Sequence, residues 1–171
     1  AITEAESSYL GKIKKGYVTD IGTAAAGQVD EDVIEGGYFP MLAKSFDDHF
    51  KKVTYPCAIQ PKLDGIRCTT TNKNQLWTRT RKPIISVPHI NGNLWTQNDW
   101  LQLDGELYNH EMKHDFEKIV HIVRQETEPD PEHTLVQYHV YDIPSNKPFL
   151  NRMTDLMLLK EKLGDNPYIK I

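Results

Sequence analysis

The chain has 171 residues, of which 39% are hydrophobic and 26% charged, and its formal net charge is −4. These values are typical of one globular domain and exclude a wholly disordered chain. The sequence contains no apolar run near the roughly 20 residues that span a bilayer, and its start is not typical of a signal peptide. Two cysteines are too few for a disulfide framework, so we expect a cytoplasmic protein that does not bind membranes. A nucleic-acid partner would need a local basic surface, because the average charge repels phosphate.

Residues 1–37 are polar and rich in glycine and alanine. They show no sustained amphipathic pattern, so we expect a partly flexible extension with at most a turn or two of helix. Within it, residues 24–28 (Ala-Ala-Ala-Gly-Gln) are typical of a linker. We expect residues 38–171 to form the folded domain.

From residue 38 onward, helical and extended patterns alternate. We predict helices at 47–51, 88–96, 115–124 and 150–163, and strands at 58–59, 66–71, 75–79, 100–107, 135–143 and 168–171. The second and third strands form a hairpin across residues 72–74. This order predicts an α+β fold with a largely antiparallel sheet and flanking helices.

Residues 62–67 (Lys-Leu-Asp-Gly-Ile-Arg) carry the most specific chemical pattern. A lysine attacks phosphorus only as the free amine, so it needs nearby cations that lower its pKa. Arg67 lies five positions after Lys62, and the Asp-Gly turn dipeptide between them can direct both side chains to one pocket. Taken alone, the hexapeptide fits a hairpin turn with solvated charges equally well.

Two further segments carry groups that suit a nucleotide. Residues 101–107 place the sequence Asp-Gly-Glu where a strand meets a glycine, and a carboxylate there can accept hydrogen bonds from ribose hydroxyls. Residues 138–143 end a strand with Tyr141 and Asp142, and an aromatic ring stacks on a base for about 1–3 kcal/mol. By itself, Tyr141 fits a packed core aromatic better.

Read in order, these segments resemble the covalent nucleotidyltransferase superfamily, which includes ATP-dependent DNA ligases, RNA ligases and mRNA capping enzymes. Residues 62–67 match its Lys-x-Asp-Gly-x-Arg nucleophile motif, and the Asp-Gly-Glu and aromatic-Asp elements follow in the family's order. Between them, residues 77–84 are similar to the Ser-Arg-x element of DNA ligases, and residues 40–61 resemble the lead-in of compact viral and phage ligases. The resemblance implies that residues 38–171 form the N-terminal portion of a DNA ligase nucleotidyltransferase (adenylation) domain.

The resemblance also implies roles for single side chains. Lys62 would attack the α-phosphorus of ATP and carry AMP as a phosphoramidate. Gln60 would read the adenine amino edge, and Tyr141 would stack on adenine. Arg67 and Glu106 would hold the ribose.

A DNA ligase implies a DNA substrate and a metal ion. Arg79 would bind the 5′-phosphate at a nick in duplex DNA, and Mg²⁺ would bridge the phosphates of ATP. Asp142 would be either structural or near a metal. The resemblance further implies a monomer in the cytoplasm of a bacterial or phage-infected cell, acting in DNA replication, repair or recombination.

The sequence departs from the family at its C-terminal side. The family's later Glu-Gly-x-x-x-(Lys/Arg) and Lys-x-Lys strands have no counterpart in the expected order. The Glu-Gly pair at 35–36 precedes the nucleophile, and the Lys-Glu-Lys sequence at 160–162 lies in a predicted helix, where we expect a solvated face. We therefore expect the chain to end inside the nucleotidyltransferase domain and to be less active than the longer protein that would contain the whole domain.

A competing motif lies at residues 110–114, where His110, Glu111 and His114 spell the H-E-x-x-H pattern of zinc hydrolases. The pattern falls where a strand gives way to a helix, so we expect both histidines in a turn. The following sequence offers no third ligand at a family spacing. Zinc hydrolysis is therefore the weaker hypothesis.

Three further alternatives remain open. The chain could belong to an RNA ligase or to a GTP-using capping enzyme, or it could bind nucleotide or DNA without catalysis. Gln60 and the element around Arg79 favour ATP and DNA. Basic residues around the predicted hairpin could grip a phosphate backbone or form a solvated turn; they are Lys73, Arg79, Arg81 and Lys82.

Overall fold

The computed structural model describes residues 2–13, 18–19, 21, 37–71, 75–95 and 102–171. The helices are α1 (Ile2–Ile13), α2 (Phe46–His49), α3 (Pro88–Trp95), α4 (Phe116–Val123) and α5 (Phe149–Leu163). The strands are β1 (Ile66–Thr71), β2 (Gln75–Thr78), β3 (Pro83–Ile84), β4 (Asp104–Tyr108), β5 (Gln137–Asp142) and β6 (Ile169–Lys170). Short 3₁₀ helices lie at Phe50–Lys52, His110–Met112 and His133–Leu135.

The six strands form one sheet in the order β3-β2-β1-β4-β5-β6. Neighbours pair antiparallel from β3 through β5, and β6 joins β5 in parallel. The predicted hairpin is present as β1 and β2, although its connecting residues 72–74 lie outside the described residues. The α+β fold with a largely antiparallel sheet and flanking helices is therefore confirmed.

One face of the sheet forms the core. The two-residue period of the strands sends Cys68, Leu107, Tyr138 and Val140 to this face, where all four are buried. Helix α4 contacts β1 and β4, and α5 contacts β5. Their apolar faces bury Ile119, Ile122, Val123, Leu156 and Leu159. The alternate residues of the central strands point to the opposite face of the sheet, which is polar.

The prediction that residues 1–37 hold no sustained helix is wrong, because α1 has 12 residues. The prediction relied on an apolar stripe, and α1 leaves Tyr9 and Leu10 exposed, so that signal is weak. Other causes favour this helix. Glu4 lies in its first turn and Lys12 in its last, where each charge complements the helix dipole, and Ile13 is buried at its end.

The predicted strand at 58–59 is also wrong. Residues 57–64 have no regular secondary structure, and Ile59 is 92% exposed. Prolines at positions 56 and 61 flank the pair, and a proline has no N–H to donate to a strand ladder. The apolar letters predicted burial, but the flanking prolines prevent the pairing that would bury them.

The remaining predicted elements are present: β1 has the predicted ends, and the ends of the others are shifted. Strand β4 begins at Asp104, the predicted strand residues 100–101 lie outside the described residues, and β2 ends at Thr78. The Lys-Glu-Lys sequence at 160–162 is exposed on α5, as predicted. The predicted linker 24–28 lies outside the described residues. Among the described helices, none is long and apolar enough to span a membrane.

Candidate active site

The polar face of the sheet brings predicted site residues side by side. Arg67 on β1 is paired with Glu106 on β4, and Glu106 is paired in turn with His139 on β5. Cross-strand partners have Cβ atoms about 5 Å apart on one face of a sheet. The register therefore builds one row of ionisable side chains across the three central strands.

Gly65 lets the backbone approach this row of side chains closely. A Cβ atom added to Gly65 would fall on the carbonyl oxygen of Leu107 and 2.9 Å from Cγ of Glu106. A larger residue would therefore displace β4 or the Glu106 side chain. The glycine lets the segment carrying Lys62 run close beside the Glu106 carboxylate.

Arg67 has the most fully specified geometry of the site. Its Nε and Nη2 atoms each donate to Asp104, at 2.6 Å from Oδ1 and 2.6 Å from Oδ2. Nη2 also donates to the carbonyl oxygen of Met41 at 3.3 Å. The guanidinium carbon lies 5.1 Å from the ring centroid of Tyr141, within the range of a cation–π contact. Bidentate, charge-assisted bonds of this kind hold an arginine in one orientation.

The surroundings of Glu106 shift the pKa of its side chain. Burial raises the pKa of its carboxyl group to about 7, against the opposing charges of Arg67 and Lys62 and a hydrogen bond from the Gly65 backbone. Lys62 therefore lies near enough for its charge to act on Glu106. A carboxyl group with this pKa is close to half ionised at neutral pH.

Lys62 and Gln60 lie in the irregular segment before β1. Both side chains are exposed, whereas Leu63 packs against the hydrophobic core. Leu63 thus ties the segment to the sheet while Lys62 stays open to solvent. A solvent-facing amine beside the polar row is accessible to an incoming substrate.

Tyr141 belongs to the polar face rather than to the core. Its neighbours Tyr138 and Val140 are buried, while Tyr141 is half-buried beside Arg67. The core alternative that the sequence favoured for this ring alone does not hold.

Asp142 is held by an ion pair. Arg152 Nε and Nη2 donate to its Oδ1 and Oδ2 at 2.9 and 3.2 Å. Nη1 of Arg152 donates to the carbonyl oxygen of Lys147 at 2.9 Å. Arg152 therefore holds the Asp142 carboxylate in one orientation.

Arg79 is exposed in the turn between β2 and β3. Arg81 N donates to the carbonyl oxygen of Thr78 at 2.9 Å, and Thr78 N to that of Lys82 at 2.8 Å. Because Thr78 pairs with Cys68, the turn lies at the same end of the sheet as the start of β1. Arg79 thus lies at the Lys62 end of the sheet, outside the Arg67–Glu106–Tyr141 group.

The H-E-x-x-H segment does not form a zinc-binding helix. His110 and Glu111 lie in a 3₁₀ helix, His114 lies in the following turn, and Asn109 Oδ1 accepts from the Glu111 backbone at 2.8 Å. Nδ1 of His110 lies 3.2 Å from the Tyr108 hydroxyl. In the part of the chain that the structure describes, no group of three potential metal ligands occurs.

The sequence reasoning missed Asp104 and Tyr38. Asp104 binds Arg67 directly, and the Tyr38 hydroxyl donates to the carbonyl oxygen of Leu103 at 3.0 Å. A signal for Asp104 was present, because Asp104 and Glu106 are two positions apart and therefore share one strand face. Tyr38 carries no signal, since its contact joins residues 65 positions apart.

No family model and no curated protein matches this chain. A structure of a Lig E DNA ligase matches over 64% of this chain and 40% of its own, at 29% identity and a TM-score of 0.52. The Chlorella virus DNA ligase-adenylate matches over 71% and 43%, at 22% identity and a TM-score of 0.52.

The chain has the fold of a DNA ligase nucleotidyltransferase domain. A third structure, named Pmar-Lig_Pre., matches over 75% of this chain and 33% of its own, at 19% identity and a TM-score of 0.59. The resemblance stated from the motifs is therefore confirmed. The chain spans 33–43% of the length of these three structures.

Proposed function

We propose that the chain is the N-terminal portion of the adenylation domain of an ATP-dependent DNA ligase, with Lys62 as its nucleophile. One observation carries the proposal: Arg67 pairs with Glu106 across β1 and β4 and lies 5.1 Å from the Tyr141 ring centroid, and Gly65, three residues after Lys62, packs against Glu106. DNA ligases with the same fold support it. In this proposal, residues 38–171 belong to the domain and residues 1–37 precede it.

The proposed first step transfers AMP to the protein. The free amine of Lys62 attacks the α-phosphorus of ATP, an N–P bond forms, and the bond to pyrophosphate breaks. Pyrophosphate leaves with the bonding electrons, and the amine loses a proton to solvent. Tyr141 stacks on adenine, Gln60 meets its amino edge, and Arg67 and Glu106 hold the ribose. These residues position ATP for the attack and stabilise the negative charge of its phosphates.

The proposed second and third steps join DNA. AMP moves from Lys62 to a 5′-phosphate at a nick in duplex DNA, which Arg79 binds, and the neighbouring 3′-hydroxyl then displaces AMP. Arg79 suits this role because its turn is exposed and carries further cations. The proposed working state is a cytoplasmic monomer in a bacterial or phage-infected cell.

Mg²⁺ fits this site only as a companion of the nucleotide. Asp104 and Asp142 each already bind an arginine. Mg²⁺ is usually held by one or two carboxylates together with substrate phosphates. When bound, the ion would neutralise phosphate charge.

Incubation with α-labelled ATP and Mg²⁺ tests the proposal. We expect covalent label on the wild-type protein and none on Lys62→Ala, while Lys44→Ala, an exposed lysine of the preceding segment, labels normally. Label that persists on Lys62→Ala would refute the assignment. Parallel reactions with labelled GTP, and with nicked DNA against nicked RNA, distinguish a DNA ligase from a capping enzyme or an RNA ligase.

A further inference from the structure

The hydrogen bonds of Arg67 divide its guanidinium into two sides. An arginine has five N–H groups in a fixed plane. Asp104 accepts from Nε and Nη2, and the Met41 carbonyl accepts the second Nη2 hydrogen. Among the described residues, Nη1 has no hydrogen-bond partner. Its two N–H groups are therefore available to a ligand over Tyr141.

Asp104 acts on the site through Arg67. Its side chain is 8% exposed and that of Arg67 is 22% exposed, and both of its carboxylate oxygens contact the guanidinium. Asp104 lies two residues before Glu106 on β4, so both carboxylates share the polar face. Glu106 is left for the ligand because Asp104 satisfies the charge of Arg67.

We propose that Asp104 is a positioning residue for nucleotide binding, which holds Arg67 beside the Tyr141 ring with Nη1 directed at the nucleotide. This inference rests on the proposed function. An arginine that is already oriented loses less conformational freedom when a ligand binds, so binding is tighter. Without Asp104, Arg67 is free to bind Glu106, its cross-strand partner, and the ribose loses both of its proposed contacts.

Equilibrium binding of ATP to the full chain tests the inference through a double-mutant cycle. We expect Asp104→Asn to weaken ATP binding by about 10- to 100-fold, the range for losing a hydrogen bond to a charged group. Arg67→Gln should weaken binding at least as much. Because Asp104 acts through Arg67, adding Asp104→Asn to Arg67→Gln should change ATP affinity by less than about twofold.

Asp155→Asn is the matched control, because Asp155 also binds a cation at 2.6 Å, on α5. The Asp155→Asn variant loses an ion pair of the same type and should keep wild-type ATP affinity. Thermal unfolding of each variant identifies any that does not fold. If Asp104→Asn does not fold, Asp104→Glu replaces it and should weaken ATP binding at least threefold by shifting the carboxylate.

The outcomes separate this inference from the proposed function. If the wild-type chain binds ATP and Asp104→Asn binds it equally well, Asp104 is not a positioning residue. The same conclusion follows if the effects of Asp104→Asn and Arg67→Gln multiply, because the two residues then act independently. If the wild-type chain binds no ATP, the proposed function falls together with this inference.

Discussion

Replacing Gly105 with alanine should separate β4 from β5 at the centre of the sheet. A Cβ atom on Gly105 would fall on the carbonyl oxygen of His139 and lie 2.7 Å from Cε2 of Tyr138. The first of these is a backbone atom, and the second belongs to a buried ring that donates a hydrogen bond to Cys68 O at 3.0 Å. Neither neighbour can move without disturbing the strand pairing.

The expected loss is large for an added methyl group. Overpacking a well-packed interior typically costs about 1–3 kcal/mol of stability. Because the added methyl group of Gly105→Ala meets a backbone atom, we expect it to lower the free energy of unfolding by about 3 kcal/mol. For a protein of this size, that loss lowers the melting temperature by about 6–12 °C. Gly92→Ala is the control: its added Cβ has no heavy atom within 4 Å, and it lies in helix α3. Alanine there should stabilise the protein by up to about 1 kcal/mol.

Urea denaturation of both variants, followed by circular dichroism, measures the two effects. Opposite signs for Gly105→Ala and Gly92→Ala are the predicted result. A Gly105→Ala protein within about 1 kcal/mol of wild type would contradict the close approach of β4 and β5. Since Gly105 lies between Asp104 and Glu106, that outcome would also undermine the geometry of the site.

Three further predictions concern single groups that are buried or partly buried. Folding raises the pKa of Glu106 to about 7, so the folded state retains a proton that the unfolded state releases. The free energy of unfolding should therefore fall as the pH rises from 4.5 to 7. Glu106→Gln should remove this pH dependence in urea titrations. His89 Nε2 donates to the Val136 carbonyl at 2.9 Å, so its Nδ1 must accept from His133 at 2.8 Å. Burial lowers the pKa of His89, so the stability of wild type should fall more than that of His89→Gln as the pH drops below 6.5; equal slopes would contradict this. Within the described residues, Thr69 Oγ1 is the buried side-chain polar atom without a hydrogen-bond partner, so Thr69→Val should leave the free energy of unfolding unchanged or raise it by up to about 1 kcal/mol; a loss above 1 kcal/mol in the same assay would show that the hydroxyl is bound.

Periodicity predicted the parts of the fold that bury an apolar face. The alternation of Val136, Tyr138 and Val140 predicted β5, and all three are buried. The apolar spacing of residues 115–124 likewise predicted α4. Helix α1 was missed because its stability does not come from an apolar stripe, and residues 58–59 were mispredicted because flanking prolines outweigh an apolar pair.

The site was predictable as chemistry but not as geometry. The order of the motifs indicated that Lys62, Glu106 and Tyr141 belong together. It could not indicate that Arg67 pairs with Asp104, because that contact depends on the register between β1 and β4. The pKa of Glu106 was equally out of reach, since it comes from burial by residues distant in sequence.

The site of AMP attachment tests the central claim most directly. The chain is incubated with ATP and Mg²⁺, digested at a pH that preserves phosphoramidates, and its peptides are fragmented in a mass spectrometer. The account predicts one added AMP, on the side chain of Lys62, that is released by acid. AMP found on another residue, or wild-type protein that carries none while it binds ATP, would contradict Lys62 as the nucleophile.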